Sequence, residues 1–248
     1  MKTNLYMIRH GEAVINVQPI VGGMKGDQGL TEHGVLQAQA LRDRLRETGE
    51  IQAEVLIASD LPRARQTAEI IAPALGLPIV FDPEVQEFRV GEADGMPNSE
   101  AWAKYGPPEV EHNPFKRISP GGENWLEFVA RVSIALHRIT TTHAGKTIVV
   151  VCHGGVIDSS FIYFFGISTV AVPQAGLYTN NTSITHWQQY TDKYTHKTRW
   201  RLLGYNDTFH LREVGVRESL DWRDIAAKPD IGADRPATPL PTEERDEE

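Results

Sequence analysis

Cysteine is nearly absent from the 248-residue sequence, in which Cys152 is the single example. One cysteine cannot form an intramolecular disulfide, so a disulfide-stabilised secreted scaffold is excluded and a reducing compartment is favoured. The N-terminal residues also lack the apolar segment and small-residue cleavage site of an export signal. We therefore expect a cytoplasmic protein in which Cys152, inside an apolar strand, is a buried and inert thiol.

Long hydrophobic runs are missing as well. The most apolar stretch, residues 156–170, is shorter than the ~20 residues needed to span a bilayer, and it contains Asp158. We therefore expect a helix of the protein core there, and no membrane association. An exposed edge of that helix could contribute to a homodimer contact.

The sequence has no excess of positive charge, since 25 Lys and Arg residues face 33 Asp and Glu residues and the formal net charge is −8. A broad basic footprint for nucleic acid is therefore absent. Residues 229–248 hold seven acidic and two basic residues, which leaves about −3 for the rest of the chain. A small anionic substrate remains compatible with that remainder if positive charge is concentrated in a cleft.

Strand-like and helix-like segments alternate along the chain. Short apolar runs at residues 3–8, 54–59, 77–82 and 147–153 are typical of strands, and the last is an unbroken β-branched run like a parallel strand covered on both faces. Amphipathic patterns predict helices that begin near Glu32 and at Pro62, and a third over 123–143. The alternation predicts an α/β fold, a three-layer α/β/α sandwich with a mostly parallel central sheet. Residues 183–190 and 197–205 are typical of a closing hairpin or a sheet edge.

The domain predicted from this pattern covers residues 1–210. Residues 211–248 form a C-terminal extension, and from about residue 229 it becomes a Pro-rich acidic tail whose composition favours disorder. One α/β domain of this length can bury a sizeable core.

Cationic and imidazole side chains follow the predicted strands at the point where each strand ends. Arg9 and His10 follow the first strand, Arg63 the second and His153 the last. Because ligands bind beyond the carboxyl ends of the strands in open α/β sheets, we expect these side chains to meet at one rim. The guanidinium fork matches phosphate oxygens, and Gly154 opens a helix whose free N–H groups attract anions. The pattern predicts a phosphate site.

Phosphate chemistry needs a nucleophile and an acid. A histidine with one ring nitrogen fixed by a hydrogen bond can attack phosphorus with the other nitrogen and form a covalent intermediate, after which the departing alkoxide needs a proton. Glu87, Glu92 and Asp94 lie in the loop after the third strand, and the apolar neighbours of Glu87 would favour its uncharged acid form. The residues alone leave the acid open, although Glu92 and Asp94 fit solvated loop charges better.

Six motifs in order resemble the histidine phosphatase superfamily, also called the phosphoglycerate mutase-like family, over roughly the first two hundred residues. They are RHGE at 9–12 followed by Asn16, DQGLTEHG at 27–34, SDLPRARQTA at 59–68, the spacing from Glu87 to Gly91, PGGENWLEF at 120–128 and VCHGG at 151–155. A lone RHG matches by chance, whereas six ordered motifs are specific.

The resemblance implies roles for particular side chains. His10 would be the phosphorylated nucleophile, and Glu87, rather than Glu92, the proton donor. The phosphate pocket would be formed by Arg9, Arg63 and His153, with Asn16 as a further phosphate ligand. No metal or organic cofactor is implied, and the substrate would be a small phosphorylated molecule.

Hydrolysis is the reaction that the sequence favours within this family. The cofactor-dependent mutases carry a longer insertion between the Glu-containing loop and the PGGE motif, whereas the segment from Gly95 to Pro120 is short here. A phosphoglycerate mutase is the nearest alternative. A non-catalytic phosphate-binding or scaffold protein is a third, and the presence of every key residue counts against it.

Overall fold

The computed structural model describes residues 2–110, 112–170 and 176–216, and in these ranges strands and helices alternate as the sequence predicts. The strands are β1 (Asn4–Arg9), β2 (Val55–Ala58), β3 (Ile79–Phe81), β4 (Thr147–Cys152), β5 (Ile184–Thr191) and β6 (Thr198–Asp207). The helices are α1 (Val14–Val17), α2 (Glu32–Thr48), α3 (Pro62–Leu75), α4 (Asn98–Tyr105), α5 (Trp125–Thr142) and α6 (Gly154–Phe165), with short 3-10 turns at Pro83–Val85, Gly91–Ala93 and Phe209–Leu211.

The strands of the described ranges form one six-stranded sheet in the order β3-β2-β4-β1-β5-β6. The first four strands run parallel, and the register of the two central ones places Arg9 opposite Cys152. The antiparallel β5–β6 hairpin joins the sheet alongside β1, as predicted. The three-layer α/β/α sandwich with a mostly parallel sheet is therefore confirmed.

The core is divided by the central sheet into two layers. Met7 of β1 packs with Phe128 of α5 on one face, in a cluster that also contains residues of α6. Ile8 of the same strand packs with Leu41 of α2 and Ile71 of α3 on the other face. Because successive strand residues point to opposite faces, the continuous apolar run of β4 serves both layers.

Local signals set the limits of α2 and α3. The Thr31 hydroxyl accepts the Gly34 N–H at 3.0 Å and caps α2. Pro62 opens α3, where its missing N–H costs nothing, and Gly76 ends that helix with a φ of +66°. Arg63 is consequently held in the first turn of α3, next to the end of β2.

Several sequence predictions fall outside the site. From residue 217 onward, the predicted C-terminal extension lies outside the described residues. The core helix predicted within 156–170 is α6, and no helix in the described ranges is long and apolar enough to cross a membrane. Cys152 is buried, and burial raises the pKa of its thiol, as expected for an inert side chain.

Candidate active site

The two imidazoles predicted to meet do lie side by side. His10 and His153 directly follow the paired strands β1 and β4, and their ring centroids are 5.1 Å apart at an interplanar angle of 58°. His10 is 3% exposed and His153 is fully buried. The parallel register of the two central strands therefore brings together residues that are 143 positions apart in the chain.

The ring of His10 is held in one orientation by its own backbone neighbourhood. Its Nδ1 lies 2.7 Å from the carbonyl oxygen of Gly11, which can only accept, so Nδ1 carries the proton. Burial, and then the charges of Arg63 and Arg9, hold the pKa of His10 well below its usual value. At neutral pH the ring is uncharged, and Nε2 has a lone pair available for nucleophilic attack.

Arg63 contacts this lone pair and is fixed by an acidic partner. Its Nε donates to His10 Nε2 at 3.1 Å, and its Nη1 donates to Asp27 Oδ2 at 2.8 Å. The side chains of Arg63 and Asp27 are 1% and 0% exposed, so the ion pair is buried. Asp27 opens the DQGLTEHG motif, but sequence reasoning gave it no role of its own.

His153 presents one nitrogen to a serine and keeps the other unpaired. Its Nε2 lies 2.8 Å from Ser59 Oγ, at the end of β2. Its Nδ1 is buried and has no hydrogen-bond partner among the described residues. Burial, and then the neighbouring cations and His10, lower the pKa of His153 well below its usual value. When Ser59 donates to Nε2, Nδ1 carries the proton and can donate to a phosphate oxygen.

Arg9 and Asn16 border the site from the first strand and the segment after it. Arg9 Nη1 donates to the carbonyl oxygen of Thr179, whereas its Nε is buried without a partner within the described ranges. Asn16 Oδ1 accepts the Ala13 N–H at 2.9 Å and lies 3.5 Å from Asn181 Nδ2. Asn181 Nδ2 also donates to the carbonyl oxygen of His10 at 3.0 Å, so one side chain links Asn16 to the backbone of His10.

Gly154 opens α6 at the edge of the same pocket. A Cβ built on Gly154 would lie 3.8 Å from Arg9 Nε, so the helix N-terminus and this guanidinium face the same space. The positive end of the helix adds to the charge of Arg9 and Arg63.

Glu87 is joined to the start of α6. Its Oε2 accepts the N–H of Gly155 and its Oε1 accepts the N–H of Phe88, each at 3.0 Å. A Cβ on Gly155 would lie 2.4 Å from Glu87 Oε1, so only glycine leaves room for the carboxyl. A Cβ on the preceding residue, Gly154, would lie 3.8 Å from Arg9 Nε, so the carboxyl lies on the side of the cationic cluster.

The loop that carries Glu87 is held by an arginine that sequence reasoning missed. Arg131 of α5 donates to the carbonyl oxygens of Glu84, Gln86 and Glu87 at 2.9–3.2 Å, and it is paired with Glu123 at 2.7 Å. Glu123 is the last residue of the PGGE motif, which was the available signal. A single buried guanidinium thus organises the backbone that leads up to and includes Glu87.

The expectation that Asp94 is a solvated loop charge is wrong. Its carboxylate accepts hydrogen bonds from the N–H groups of Gly23, Lys25 and Gly26, each at 2.9 Å. These bonds hold the loop at 17–29 around the carboxylate. Glu92 is exposed, as expected, and accepts the Tyr105 hydroxyl.

The arrangement is suited to a tetrahedral oxyanion. Two guanidinium groups, a helix N-terminus and an unpaired ring N–H surround a neutral imidazole, and a carboxyl adjoins them. In the described part of the chain, no group of three or more His, Cys, Asp or Glu residues has the geometry of a metal site.

Comparison with known proteins gives the family and the fold. The family model described as histidine phosphatase superfamily (branch 1) matches residues 5–208. The chain is 31% identical over 213 residues to a probable phosphoglycerate mutase GpmB of Yersinia pestis (strain Pestoides F), a match that covers 84% of this chain and 94% of that protein.

Two solved structures share the fold. A mycobacterial glucosyl-3-phosphoglycerate phosphatase aligns with a TM-score of 0.66 and 24% identity, over 83% of this chain and 99% of that one. A phosphoserine phosphatase mutant from Entamoeba histolytica, in complex with phosphoserine, aligns with a TM-score of 0.64 and 21% identity, over 84% and 99% of the two chains. At these identities the two structures show the fold alone.

Proposed function

Because the chain belongs to the histidine phosphatase superfamily (branch 1), we propose that it hydrolyses small phosphomonoesters through a phosphohistidine formed on His10. Members of the superfamily are phosphatases or mutases that use a histidine. The observation that carries the proposal is the state of His10, a neutral ring with Nδ1 bonded to Gly11 and Nε2 turned towards Arg63. Such a ring is a nucleophile next to an anion-binding group.

In the first half-reaction, Nε2 of His10 attacks phosphorus in line with the ester oxygen. The new P–N bond forms as the P–O bond to the leaving group breaks, and Arg63 exchanges its bond to Nε2 for one to a phosphate oxygen. The other equatorial oxygens are stabilised by Arg9 and by Nδ1 of His153. Glu87 gives its proton to the leaving oxygen, which departs as an alcohol.

In the second half-reaction, water attacks the phosphohistidine. Glu87, now a carboxylate, accepts a proton from the attacking water, and the P–N bond breaks. Inorganic phosphate leaves, and both His10 and Glu87 return to their starting states. Proton donor and acceptor are the same carboxyl, so no further acid or base is required.

A panel of phosphomonoesters, assayed in the presence of a chelator, tests this proposal. The panel should contain sugar phosphates, nucleotides, phosphorylated small acids and a phosphopeptide, because the loops at 17–29 and 92–120 that would contact the substrate do not define it. We expect release of inorganic phosphate with chelator present, and an acid-labile phosphoenzyme after rapid quenching. Phosphate binding without release from any member would favour a non-catalytic, phosphate-binding protein.

A phosphoglycerate mutase is the second candidate, favoured by the name of the relative that is 31% identical. The short segment from Gly95 to Pro120 supports hydrolysis instead, because little chain is available there to shield a phosphoenzyme from water. Isomer exchange between 2- and 3-phosphoglycerate, primed with a bisphosphorylated glycerate, separates the two. We expect phosphate release to exceed exchange. Exchange much faster than release would establish the mutase.

A further inference from the structure

Asp158 lies one turn beyond the glycines that open α6, on the same face of the helix. A Cβ on Gly154 would approach Arg9 Nε at 3.8 Å, and a Cβ on Gly155 would meet the Glu87 carboxyl. Asp158 follows these glycines by four and three residues, and side chains at those spacings are neighbours on a helix surface. Helical side chains also lean towards the N-terminus, so the Asp158 carboxyl is directed back to the space between Arg9 and Glu87.

Asp158 is partly buried, and one oxygen of its carboxyl lacks a partner. Its Oδ1 is buried and has no hydrogen-bond partner in the part of the chain that the structure describes. Burial, and then the charge of Glu87, raise its pKa to about 7, although Arg9 acts in the opposite direction. The third group that senses its charge is Tyr205 of β6, whose hydroxyl is bonded to Thr179 at 2.9 Å.

A packing role does not explain this side chain. Burying a carboxyl oxygen without a partner is destabilising, and an apolar residue at this partly buried position would avoid that cost. Perturbed acids of this kind cluster at functional sites. Nothing in the half-reactions above uses Asp158.

We propose that the Asp158 and Glu87 carboxyls form a pair that shares one proton, so that Asp158 is a positioning residue for the acid. The inference rests on the proposed function, in which Glu87 is the proton donor. Two neighbouring carboxyls resist ionising together, since the charge of one opposes the ionisation of the other. The proton that leaves with the alcohol is replaced by the proton taken from water, so the pair ends each turnover with the one it began with.

The pH dependence of kcat/KM tests the pair through its leaving-group dependence. An alkyl ester such as glycerol 2-phosphate needs the proton, whereas p-nitrophenyl phosphate releases a stable anion and hardly needs it. For Asp158→Asn, we expect the alkaline limb on glycerol 2-phosphate to move at least about one pH unit lower, with little change on p-nitrophenyl phosphate. In Asp158→Glu, the alkaline limb of the profile on glycerol 2-phosphate should return to its wild-type pH.

A matched charge control is Glu69→Gln, which removes an exposed carboxylate of α3. This variant should leave both profiles in place. If the alkaline limb of Asp158→Asn on glycerol 2-phosphate stays within about 0.2 pH units of the wild-type limb, the proposed carboxyl pair is wrong.

Carbon-13 titration of aspartate carboxyls provides a test that needs no active Asp158 variant. In the wild-type protein, one carboxyl should titrate near pH 7, apart from the surface groups near pH 4. In Glu87→Gln, that midpoint should move lower by about 0.5 pH units or more, because the like charge is gone. An unmoved midpoint shows that the two carboxyls are not coupled.

Failure of the pair can be told from failure of the proposed function. If Glu87→Gln abolishes turnover of glycerol 2-phosphate while Asp158→Asn leaves the limb unmoved, the acid assignment stands and the pair is wrong. If Glu87→Gln keeps normal turnover of the alkyl ester, the acid assignment itself is wrong.

Discussion

The two sides of the site are built by different means. On the cationic side, His10, Arg63 and His153 stand at strand ends or in the first turn of a helix, all at most 3% exposed. On the carboxyl side, Glu87 lies in a loop between two short 3-10 turns, and Arg131 reaches in from α5 to hold its backbone. Strand ends and the start of a helix position the first group, whereas backbone N–H groups and hydrogen bonds from Arg131 position the second.

The two sides should control different steps of the reaction. In the proposed mechanism, the cationic side acts on the phosphoryl group, which every substrate shares, so its loss should affect all esters equally. The carboxyl side would act on the leaving oxygen, so its loss should matter only when that oxygen needs a proton. Rates measured on both an alkyl and an aryl phosphate therefore distinguish the contribution of the cationic side from that of the carboxyl side.

The largest effect is expected from His10→Ala. Removal of the nucleophile should lower kcat/KM on both glycerol 2-phosphate and p-nitrophenyl phosphate by at least about a thousandfold and abolish the acid-labile phosphoenzyme. His143→Ala, at the end of α5, is the control and should behave as the wild type. Near-normal turnover of the aryl ester by His10→Ala would remove the nucleophile assignment.

The next effect, from Glu87→Gln, should depend on the substrate. General acids contribute about 10²–10⁴ in rate, so kcat on glycerol 2-phosphate should fall by that factor. The kcat/KM value on p-nitrophenyl phosphate should fall less than about tenfold, because its phenolate leaves unaided. Glu84→Gln, a half-exposed residue of the same loop, is the control. Equal losses on both esters would contradict a separate carboxyl side.

Asp27→Asn should weaken the cationic side as a whole. Without its carboxylate partner, buried Arg63 loses its fixed position beside His10, and displacement of such a group costs about 10² in rate. The loss should be the same on both esters. Breaking a buried pair should also lower the free energy of unfolding by about 3 kcal/mol, measured by urea denaturation. Asp43→Asn, in a surface pair, should change neither quantity.

The smallest effect is expected from Arg131→Lys. Lysine keeps the charge but cannot bind three carbonyl groups and Glu123 together, so the loop that carries Glu87 should become more mobile. The kcat on glycerol 2-phosphate should then fall about tenfold. Turnover of p-nitrophenyl phosphate should stay within about twofold. Arg138→Lys on the same helix, where the arginine is 51% exposed, is the matched control. A loss shared by both esters would mean that Arg131 supports the whole site.

Sequence reasoning reached the cationic side because parallel strands end at one edge of a sheet. Arg9, His10 and His153 could be placed together from strand order alone, before any contact was known. The fold followed from the same alternation. The loop after β3 contains three carboxyls, and the choice of Glu87 among them depended on the family motif, because burial cannot be inferred for an irregular segment.

The supporting residues could not be inferred, because their contacts join distant positions without a repeating pattern. Asp27 and Arg63 are 36 positions apart, and Arg131 lies 44 from Glu87 and binds only its backbone. The contacts of Asp94 could not be inferred for the same reason, since the N–H groups that it binds lie 68–71 positions earlier in the chain. Side-chain contacts to backbone carbonyl and N–H groups can involve almost any residue and leave no recognisable motif.

The strand order has a consequence for how the protein opens. β1 and β4 occupy the middle of the sheet, with two further strands on either side of them. Local unfolding begins at edges and termini, where few bonds are broken, so β3 and β6 should open long before the central pair. His10 and His153 directly follow these two central strands, whose amide protons should be the last in the sheet to exchange with solvent. His10 and His153 should therefore stay side by side until the whole domain unfolds.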